Sequence, residues 1–187
     1  MKKESLTRYV LRITFVLLAI AIVVAGLLAL VNRITAPVIS AATEAKTQAA
    51  IAQVLPGGFD LEITDFTDET GLVSKVYKGQ QGYAVEVNPI GFDSAIAMMV
   101  GVDFEGNILG ISIISHSESA GLGAVAASKT SAGQAFRDQF IGASSSVSVS
   151  KDGGQIDAIT NATITSRAVC DGVNAALACV AELGGAK

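Results

Sequence analysis

The chain has 187 residues, which is the usual size of one domain plus a membrane anchor. Half of its residues are hydrophobic, and its formal net charge is -4 at pH 7. An acidic chain has no excess of cationic side chains with which to neutralise phosphates, so nucleic acid is excluded as the expected partner. The two cysteines form no CxxC pair and the single histidine belongs to no Cys/His cluster, so we expect neither a zinc nor an iron–sulfur site.

The first predicted element is a membrane-spanning helix. Residues 13–31 form a nearly unbroken apolar run, roughly 19 residues or about 28 Å as a helix, which matches the hydrocarbon core of a bilayer. Basic residues precede this run, namely Lys2, Lys3, Arg8 and Arg12. The positive-inside rule then predicts a cytoplasmic N-terminus and an extracytoplasmic C-terminal domain. A cleaved signal peptide is the alternative, but the run is longer than a typical signal-peptide core and no small-residue cleavage site follows closely.

The segments after the anchor predict a helix and then a sheet. Residues 35–55 are rich in helix-forming residues and end at Pro56-Gly57-Gly58. Four runs with strand-like patterns follow, at residues 72–77, 83–87, 96–102 and 108–114, with turn residues at 79–82 and 103–107. Local connections of this kind predict a curved, mostly antiparallel sheet.

The last third of the chain predicts two helices. They cover residues 130–141 and 166–183, and the second has Val169, Val173, Leu177 and Val180 at helical spacing before Gly184-Gly185. Residues 143–150 are Ser-rich and predict a loop or an edge strand, and 152–154 predict a turn. Cys170 and Cys179 are expected on opposite faces of the second helix, so they should not bridge each other.

These predictions describe an α+β protein in three parts. Residues 1–34 contain a cytoplasmic N-terminus and the transmembrane anchor, 35–58 a helical linker, and 59–187 a folded domain with helices flanking the sheet.

A hydroxyl-rich segment precedes the final predicted helix. Residues 157–166 read Asp-Ala-Ile-Thr-Asn-Ala-Thr-Ile-Thr-Ser. The free backbone N–H groups and the dipole at a helix N-terminus favour an anion such as phosphate. The alternative is an ordinary helix start, because Ser and Thr are preferred N-cap residues.

A second notable segment, Ser-His-Ser-Glu-Ser-Ala-Gly-Leu-Gly at residues 115–123, directly follows a predicted strand. Loops at strand ends often carry function, and glycines permit close backbone approach to a ligand. The alternative is a solvated loop with a glycine turn. His116 and Glu118 are two residues apart and would share a face of an extended segment. This arrangement suggests a further hypothesis, a hydrolase with a serine nucleophile. No G-x-S-x-G elbow is present, so a hydrogen-bonding or structural role for His116 is favoured.

Both segments resemble parts of one family. The pattern Asp-x-x-Thr-x-Ala-Thr-x-Thr in residues 157–165 resembles the flavinylation motif of the FMN-binding domain family. That family includes RnfG, which is part of the Rnf electron-transport complex, and a related component of the sodium-pumping NADH:quinone reductase. Residues 116–123 resemble a loop of RnfG, with Ser119 and Ala120 where Thr and Pro are usual. Asn161 stands where the family usually has Gly, and Asn tolerates the left-handed backbone that such a turn requires. The strands at 83–87 and 98–103 are also similar, so the resemblance covers residues 72–183 and the anchor.

The resemblance implies a covalent flavin. Its attachment residue would be Thr165, linked to FMN through a phosphoester by a separate flavin transferase that uses FAD. The motif and loop residues implied to bind the cofactor are Asp157, Thr160, Asn161, Ala162, Thr163, Ile164, Ser166, His116, Glu118, Gly121, Leu122 and Gly123. The last three would supply backbone contacts and an apolar surface to the flavin ring. Asp157 is either recognised by the transferase or holds the loop.

The resemblance also implies a place in a membrane complex. Such a complex, with further membrane and peripheral subunits, passes electrons between ferredoxin and NAD and couples this to sodium or proton movement. This chain would be a relay without an independent active site, and it lacks the strand–GxGxxG–helix frame of an NAD site. The alternative is a membrane-anchored assembly or binding module of such a complex without a bound flavin.

Overall fold

The computed structural model describes residues 6–57, 60–63, 66 and 68–185. The chain separates into two compact units, Met1–Ala45 and Lys46–Lys187. Helix α1 covers Leu6–Val54, so the predicted anchor and linker helices form one element that continues through Pro37. Among the described residues, α1 is the helix long and apolar enough to cross a membrane, and its apolar segment is exposed along its length.

The second unit contains an open antiparallel sheet, as the sequence predicted. Its strands are β1 (Leu61–Ile63), β2 (Val73–Lys78), β3 (Gly82–Val87), β4 (Ala97–Asp103) and β5 (Ile108–Ser115), paired in chain order. The four predicted strands are confirmed, and β1 is an additional short edge strand. Val85 pairs with Val100, which pairs in turn with Ile111, at the centre of the sheet.

The sheet buries a different layer on each face, because successive side chains of a strand point in opposite directions. One face carries Val85, Val100 and their neighbours, which pack with Val169 and Val173 of the C-terminal helix. The other face carries Tyr77, Ala84 and Met99, which pack with the end of α1 through Ala50, Ile51, Val54 and Leu55. The α+β class is therefore confirmed, with helices on both faces of the sheet.

The remaining helices lie between β5 and the C-terminus. A 3-10 helix covers Gly123–Ala127, and α2 covers Ser131–Asp138 with the Thr130 hydroxyl as its N-cap. A second 3-10 turn covers Ser150–Asp152. Helix α3 covers Thr163–Val180, so it begins three residues before the predicted start at residue 166. Residues 143–150, for which the sequence predicted a loop or an edge strand, form no strand and make one isolated bridge within the described segments, from Val149 to Ile156.

Both cysteines lie on α3 as separate, buried thiols. Burial is the main cause that raises the pKa of Cys170 to about 12 and that of Cys179 to about 11. Neither thiol is therefore a reactive thiolate at neutral pH, and both act as packing residues.

Candidate functional site

One cavity of about 370 Å³ brings the two segments singled out from the sequence together. Its walls come from the turn after β3, the loop after β5, the start of α3 and the 3-10 turn that carries Lys151. The lining residues are Phe92, Glu118, Ser119, Leu122, Gly123, Lys151, Asn161, Ala162, Thr163, Ile164 and Thr165. Small-molecule sites usually measure about 300–1,000 Å³, so the cavity is large enough for such a ligand.

Glu118, on the loop after β5, connects that loop to the turn after β3 and to α3. Its side chain is buried, and its Oε1 atom accepts hydrogen bonds from the backbone N–H groups of Phe92 (2.9 Å) and Asp93 (3.2 Å). Its Oε2 atom accepts a hydrogen bond of 2.5 Å from the Thr165 hydroxyl, although the two residues are 47 positions apart. A buried carboxylate needs such donors because burial removes it from water.

Two glycines allow this carboxylate to lie where it does. A Cβ atom at Gly91 would collide with Oε1 of Glu118, and a Cβ atom at Gly123 would collide with Oε2 of Glu118 and with Oγ1 of Thr165. The Gly-Leu-Gly pattern of the loop therefore has a definite role at Gly123, which is close approach of the backbone to a buried polar pair.

The first turn of α3 offers backbone donors to the cavity. Ala162 is its N-cap residue and no side chain of the described segments caps the helix, which does not support the alternative of an ordinary helix start capped by a hydroxyl. The first backbone bond into the helix runs from Ser166 N–H to Ala162 O, and the earlier N–H groups have no partner within the helix. Asn161 has a φ of 59°, in the left-handed region, as the sequence predicted.

A cation lies beside this helix start. The Lys151 ammonium donates a hydrogen bond of 3.0 Å to the Thr163 hydroxyl. The adjacent Asp152 is held in a two-point ion pair with Arg167, with both N–O distances 2.6 Å. The hydrogen bond from Arg167 is the main cause that lowers the pKa of Asp152. Lys151, the helix dipole and the free N–H groups together form a setting suited to a phosphate group.

Three of the six exposed residues that line the cavity are large and apolar. The exposed fractions of Phe92, Ile164 and Leu122 are 67%, 50% and 41%. Ile90, on the same turn as Phe92, is 78% exposed. Large apolar side chains exposed together beside a concave site mark a place for an apolar ligand or partner. The cavity thus combines a positively charged end with exposed apolar side chains.

Five predicted site residues do not line this cavity. Gly121, Asp157 and Thr160 line a neighbouring groove. The backbone of Asp157 is held there by Gln139, whose Oε1 accepts from the Asp157 N–H at 2.7 Å and whose Nε2 donates to the Asp157 carbonyl at 3.3 Å. The Ser166 hydroxyl is buried, accepts from Ile159 N–H and donates to Ala162 O, so it fixes the loop before α3.

His116 is the fifth residue outside the cavity. Its Nδ1 atom accepts a hydrogen bond of 3.2 Å from the backbone N–H of Glu118, while the Glu118 carboxylate contacts Phe92, Asp93 and Thr165 instead. Within the described residues, the His–Glu pair that a hydrolase triad would need is not formed.

The sequence did not identify three lining residues, Phe92, Ser119 and Lys151. Ser119 lies inside the predicted loop, whereas Phe92 and Lys151 lie in turns that carry no ligand-binding pattern. Their positions depend on how those turns pack against α3 and Glu118, which is tertiary information.

Known proteins match both parts of the chain. The FMN-binding domain family matches residues 91–178, and the RnfG N-terminal region matches residues 1–54. A relative from Methanosarcina acetivorans, named as a subunit of an ion-translocating oxidoreductase complex, is 31% identical over 183 residues, which cover 91% of this chain and 94% of the relative. A relative from Acetobacterium woodii, named as a subunit of a Na(+)-translocating ferredoxin:NAD(+) oxidoreductase complex, is 32% identical over 191 residues, with 89% of each chain covered.

Proposed function

The chain belongs to the RnfG family, whose members are subunits of ion-translocating oxidoreductase complexes. We propose that it is a membrane-bound electron-relay subunit that carries FMN. The observation that carries this proposal is the cavity at the start of α3, whose lining residues all fall within the segment that matches the FMN-binding domain. Relatives are named as subunits of ferredoxin:NAD oxidoreductase complexes, so electron exchange with neighbouring subunits is the role that the chain would perform.

The lining residues fit FMN at both of its chemical ends. The free N–H groups of the first turn of α3 and the Lys151 ammonium would hold the phosphate. The apolar side chains at the mouth, with Leu122 and Ile164 among them, would keep water from the flavin ring. When bound, FMN supplies one-electron and two-electron transfer, while the protein supplies binding, orientation and the local environment.

We further propose that the phosphate is joined to the Thr165 hydroxyl by a flavin transferase. In that reaction the threonine oxygen forms a bond to phosphorus, the pyrophosphate bond of FAD breaks, AMP leaves and the hydroxyl proton is released. Two features support Thr165, namely its place in the cavity wall and the Glu118 carboxylate that accepts its hydroxyl hydrogen. A hydroxyl held in this way is a better nucleophile, because the carboxylate can take the proton as the oxygen–phosphorus bond forms.

The neighbouring Thr163 is the alternative acceptor. It is partly exposed and its hydroxyl contacts Lys151, whereas Thr165 is 1% exposed. A phosphoester on Thr165 replaces the hydrogen that Glu118 accepts, so the two side chains must separate when the flavin is attached. Residues two apart on a helix do not share a face, so Thr163 cannot use Glu118 in the same way. We favour Thr165 because its hydroxyl contacts Glu118, which that of Thr163 cannot do. Lys151 would then lie beside the attached phosphate.

The membrane arrangement is proposed from the sequence and α1. Residues 1–34 would contain a cytoplasmic N-terminus and a single span of the plasma membrane, residues 35–58 a linker, and 59–187 an extracytoplasmic FMN-binding domain. The basic residues ahead of the apolar run support this orientation. Asp157 and Thr160, which line the groove beside the cavity, are then open to the transferase before the flavin is attached.

In-gel flavin fluorescence after denaturing electrophoresis tests the covalent linkage. The full chain is co-expressed with an active flavin transferase as wild type, Thr163→Val, Thr165→Val and Thr165→Ser. We expect fluorescent bands for the wild type, Thr163→Val and Thr165→Ser, which keep a hydroxyl at position 165, and a dark band for Thr165→Val. A dark Thr163→Val band beside a fluorescent Thr165→Val band would move the linkage to Thr163. A dark wild-type band beside a modified control protein would favour an assembly module without flavin.

A further inference from the structure

Phe92 is the aromatic side chain at the mouth of the cavity, and no motif accounts for it. The residue is 67% exposed although it lines the cavity. An exposed phenylalanine gains nothing from burial in its own fold, yet it would bury a large apolar surface against a planar ligand. Such a role requires that the backbone that carries the ring be held in place.

The turn that carries Phe92 is closed by its own hydrogen bonds. Gly91 N–H donates to Ser94 O and Ile96 N–H donates to Pro89 O, both at 2.8 Å, and Ile90 pairs with Ala95 in an isolated antiparallel bridge. The turn is thus a short closed hairpin at the edge of the cavity. A backbone fixed in this way loses little entropy when the ring contacts a ligand.

Glu118 ties this hairpin to the loop and helix that would hold the phosphate. Its Oε1 atom accepts hydrogen bonds from the N–H groups of Phe92 and Asp93, and its Oε2 atom accepts one from the hydroxyl of Thr165 in α3. Gly91 allows the contact because a Cβ atom there would collide with the carboxylate. The two bonds to the hairpin do not involve the Thr165 hydroxyl, so they can remain when that hydroxyl carries a phosphoester.

From these contacts we propose that Phe92 covers the isoalloxazine ring of the flavin and that Glu118 is the residue that positions it. This inference rests on the proposed function, since it requires FMN in the cavity. Leu122 and Ile164 line the same cavity and supply the other apolar contacts to the ring. The carboxylate of Glu118 acts through the backbone of the hairpin and does not itself contact the ring.

Iodide quenching of flavin fluorescence tests this assignment on the full chain loaded with FMN by the transferase. The variants are Phe92→Ala, Phe92→Tyr and, as a matched control, Phe104→Ala. Phe104 is also an exposed phenylalanine, at 43%, but it packs edge-on against Tyr83 and does not line the cavity. Removing an aromatic side chain that covers one ring face should raise the quenching constant about twofold or more in Phe92→Ala. Phe92→Tyr and Phe104→Ala should resemble the wild type.

The positioning role of Glu118 is tested by amide hydrogen exchange on the full chain before flavin attachment. Glu118→Ala removes the acceptor of the Phe92 and Asp93 N–H groups, so these two amides should exchange about tenfold faster or more. Glu118→Gln keeps an acceptor and should restore most of the protection. Gly91→Ala, whose methyl would displace the carboxylate, should also speed exchange if Glu118→Ala does not fold. Wild-type exchange of both amides in Glu118→Ala, or in Gly91→Ala if Glu118→Ala does not fold, would overturn the positioning role.

The results separate this inference from the proposed function. A sample of each flavin-loaded preparation is denatured before the quenching experiment, and the covalent flavin in that sample is measured by absorbance. A wild-type chain without flavin would overturn the function itself. A flavin-loaded Phe92→Ala chain with wild-type iodide quenching would overturn the inference alone, and the exposed ring would then be left for contact with another protein.

Discussion

The substitution Gly123→Ala tests the arrangement of the cavity wall without removing any functional group. The added methyl would lie against Oε2 of Glu118 and Oγ1 of Thr165, and 3.0 Å from Cβ of Glu118. The Glu118 carboxylate cannot swing aside freely, because its other oxygen is held by the N–H groups of Phe92 and Asp93. The short Thr165 side chain is fixed on α3. The methyl therefore breaks the Glu118–Thr165 hydrogen bond or displaces the loop.

The expected cost follows from these two outcomes. Overpacking of a well-packed site costs about 1–3 kcal/mol. Loss of a buried hydrogen bond to a charged group costs about 1.5–3 kcal/mol. The two effects overlap, so we expect a loss of roughly 2–4 kcal/mol in the free energy of unfolding, or roughly 5–15 °C in Tm for a domain of this size.

Guanidinium unfolding of the full chain in detergent measures this cost through the fluorescence of Tyr77 and Tyr83, which lie in the sheet. The matched control is Gly110→Ala, because a Cβ atom at Gly110 of β5 would meet nothing within 4 Å. That control should be unchanged or slightly more stable, since alanine costs less backbone entropy than glycine in a strand. Equal stability of Gly123→Ala and Gly110→Ala would refute the close contact between the loop and the Glu118–Thr165 pair.

Three further predictions concern other parts of the second unit. Gly101→Ala should lower the free energy of unfolding by about 1–3 kcal/mol in the same assay, because its methyl would collide with the backbone carbonyl of Val54. A variant as stable as the wild type would contradict this packing of α1 on β4. Lys151→Met should weaken binding of free FMN to the unmodified chain roughly tenfold by calorimetry, because it removes the ammonium beside the helix start, whereas Lys129→Met should not. Asp103→Asn should cost about 0.5–1 kcal/mol at pH 7, since its carboxylate is partly exposed, and progressively less in acid. Burial raises the pKa of Asp103, but the hydrogen bonds from Asn107 and neighbouring N–H groups outweigh it and lower the pKa below its usual 3.8. That contribution is fully present above pH 3.8 and is lost as the pH falls through the folded-state pKa, so a constant difference across that range would be inconsistent with it.

The sheet could be predicted from the sequence because its strands have a strong local signal. β-Branched and aromatic residues recur along β2, β3 and β5, and apolar residues along β4. Glycine-containing turns separate β2 from β3 and β4 from β5. β1 was not predicted, because a three-residue edge strand is too short for a periodic pattern.

The start of α3 illustrates the limit of local rules. The sequence predicted a helix from residue 166, with hydroxyl capping as the alternative to an anion site. The helix instead begins at Thr163 after an alanine N-cap, and the Ser166 hydroxyl holds the preceding loop. The motif is also divided between two surfaces. Residues 161–165 line the cavity, while Asp157 and Thr160 line the groove beside Gln139.

The remaining cavity residues were beyond local prediction for a physical reason. Phe92 and Lys151 reach the cavity through two turns, one held by Glu118 and one beside the Asp152–Arg167 ion pair. Contacts between residues that are far apart in sequence leave no periodic pattern in either segment. The resemblance of the loop did indicate Glu118, but only the fold places its carboxylate between Phe92 and Thr165.

Mass spectrometry of the flavin-loaded chain tests the central claim most directly. Cleavage after Lys151 and Arg167 releases residues 152–167, a peptide that contains Thr160, Thr163, Thr165 and Ser166. We predict that this peptide carries the mass of FMN less one water and that fragmentation places the addition on Thr165. An addition on Thr163 would keep the flavoprotein assignment and refute the argument from the Glu118 contact. An unmodified peptide, from a preparation in which the transferase modifies a control protein, would contradict the covalent flavin linkage itself.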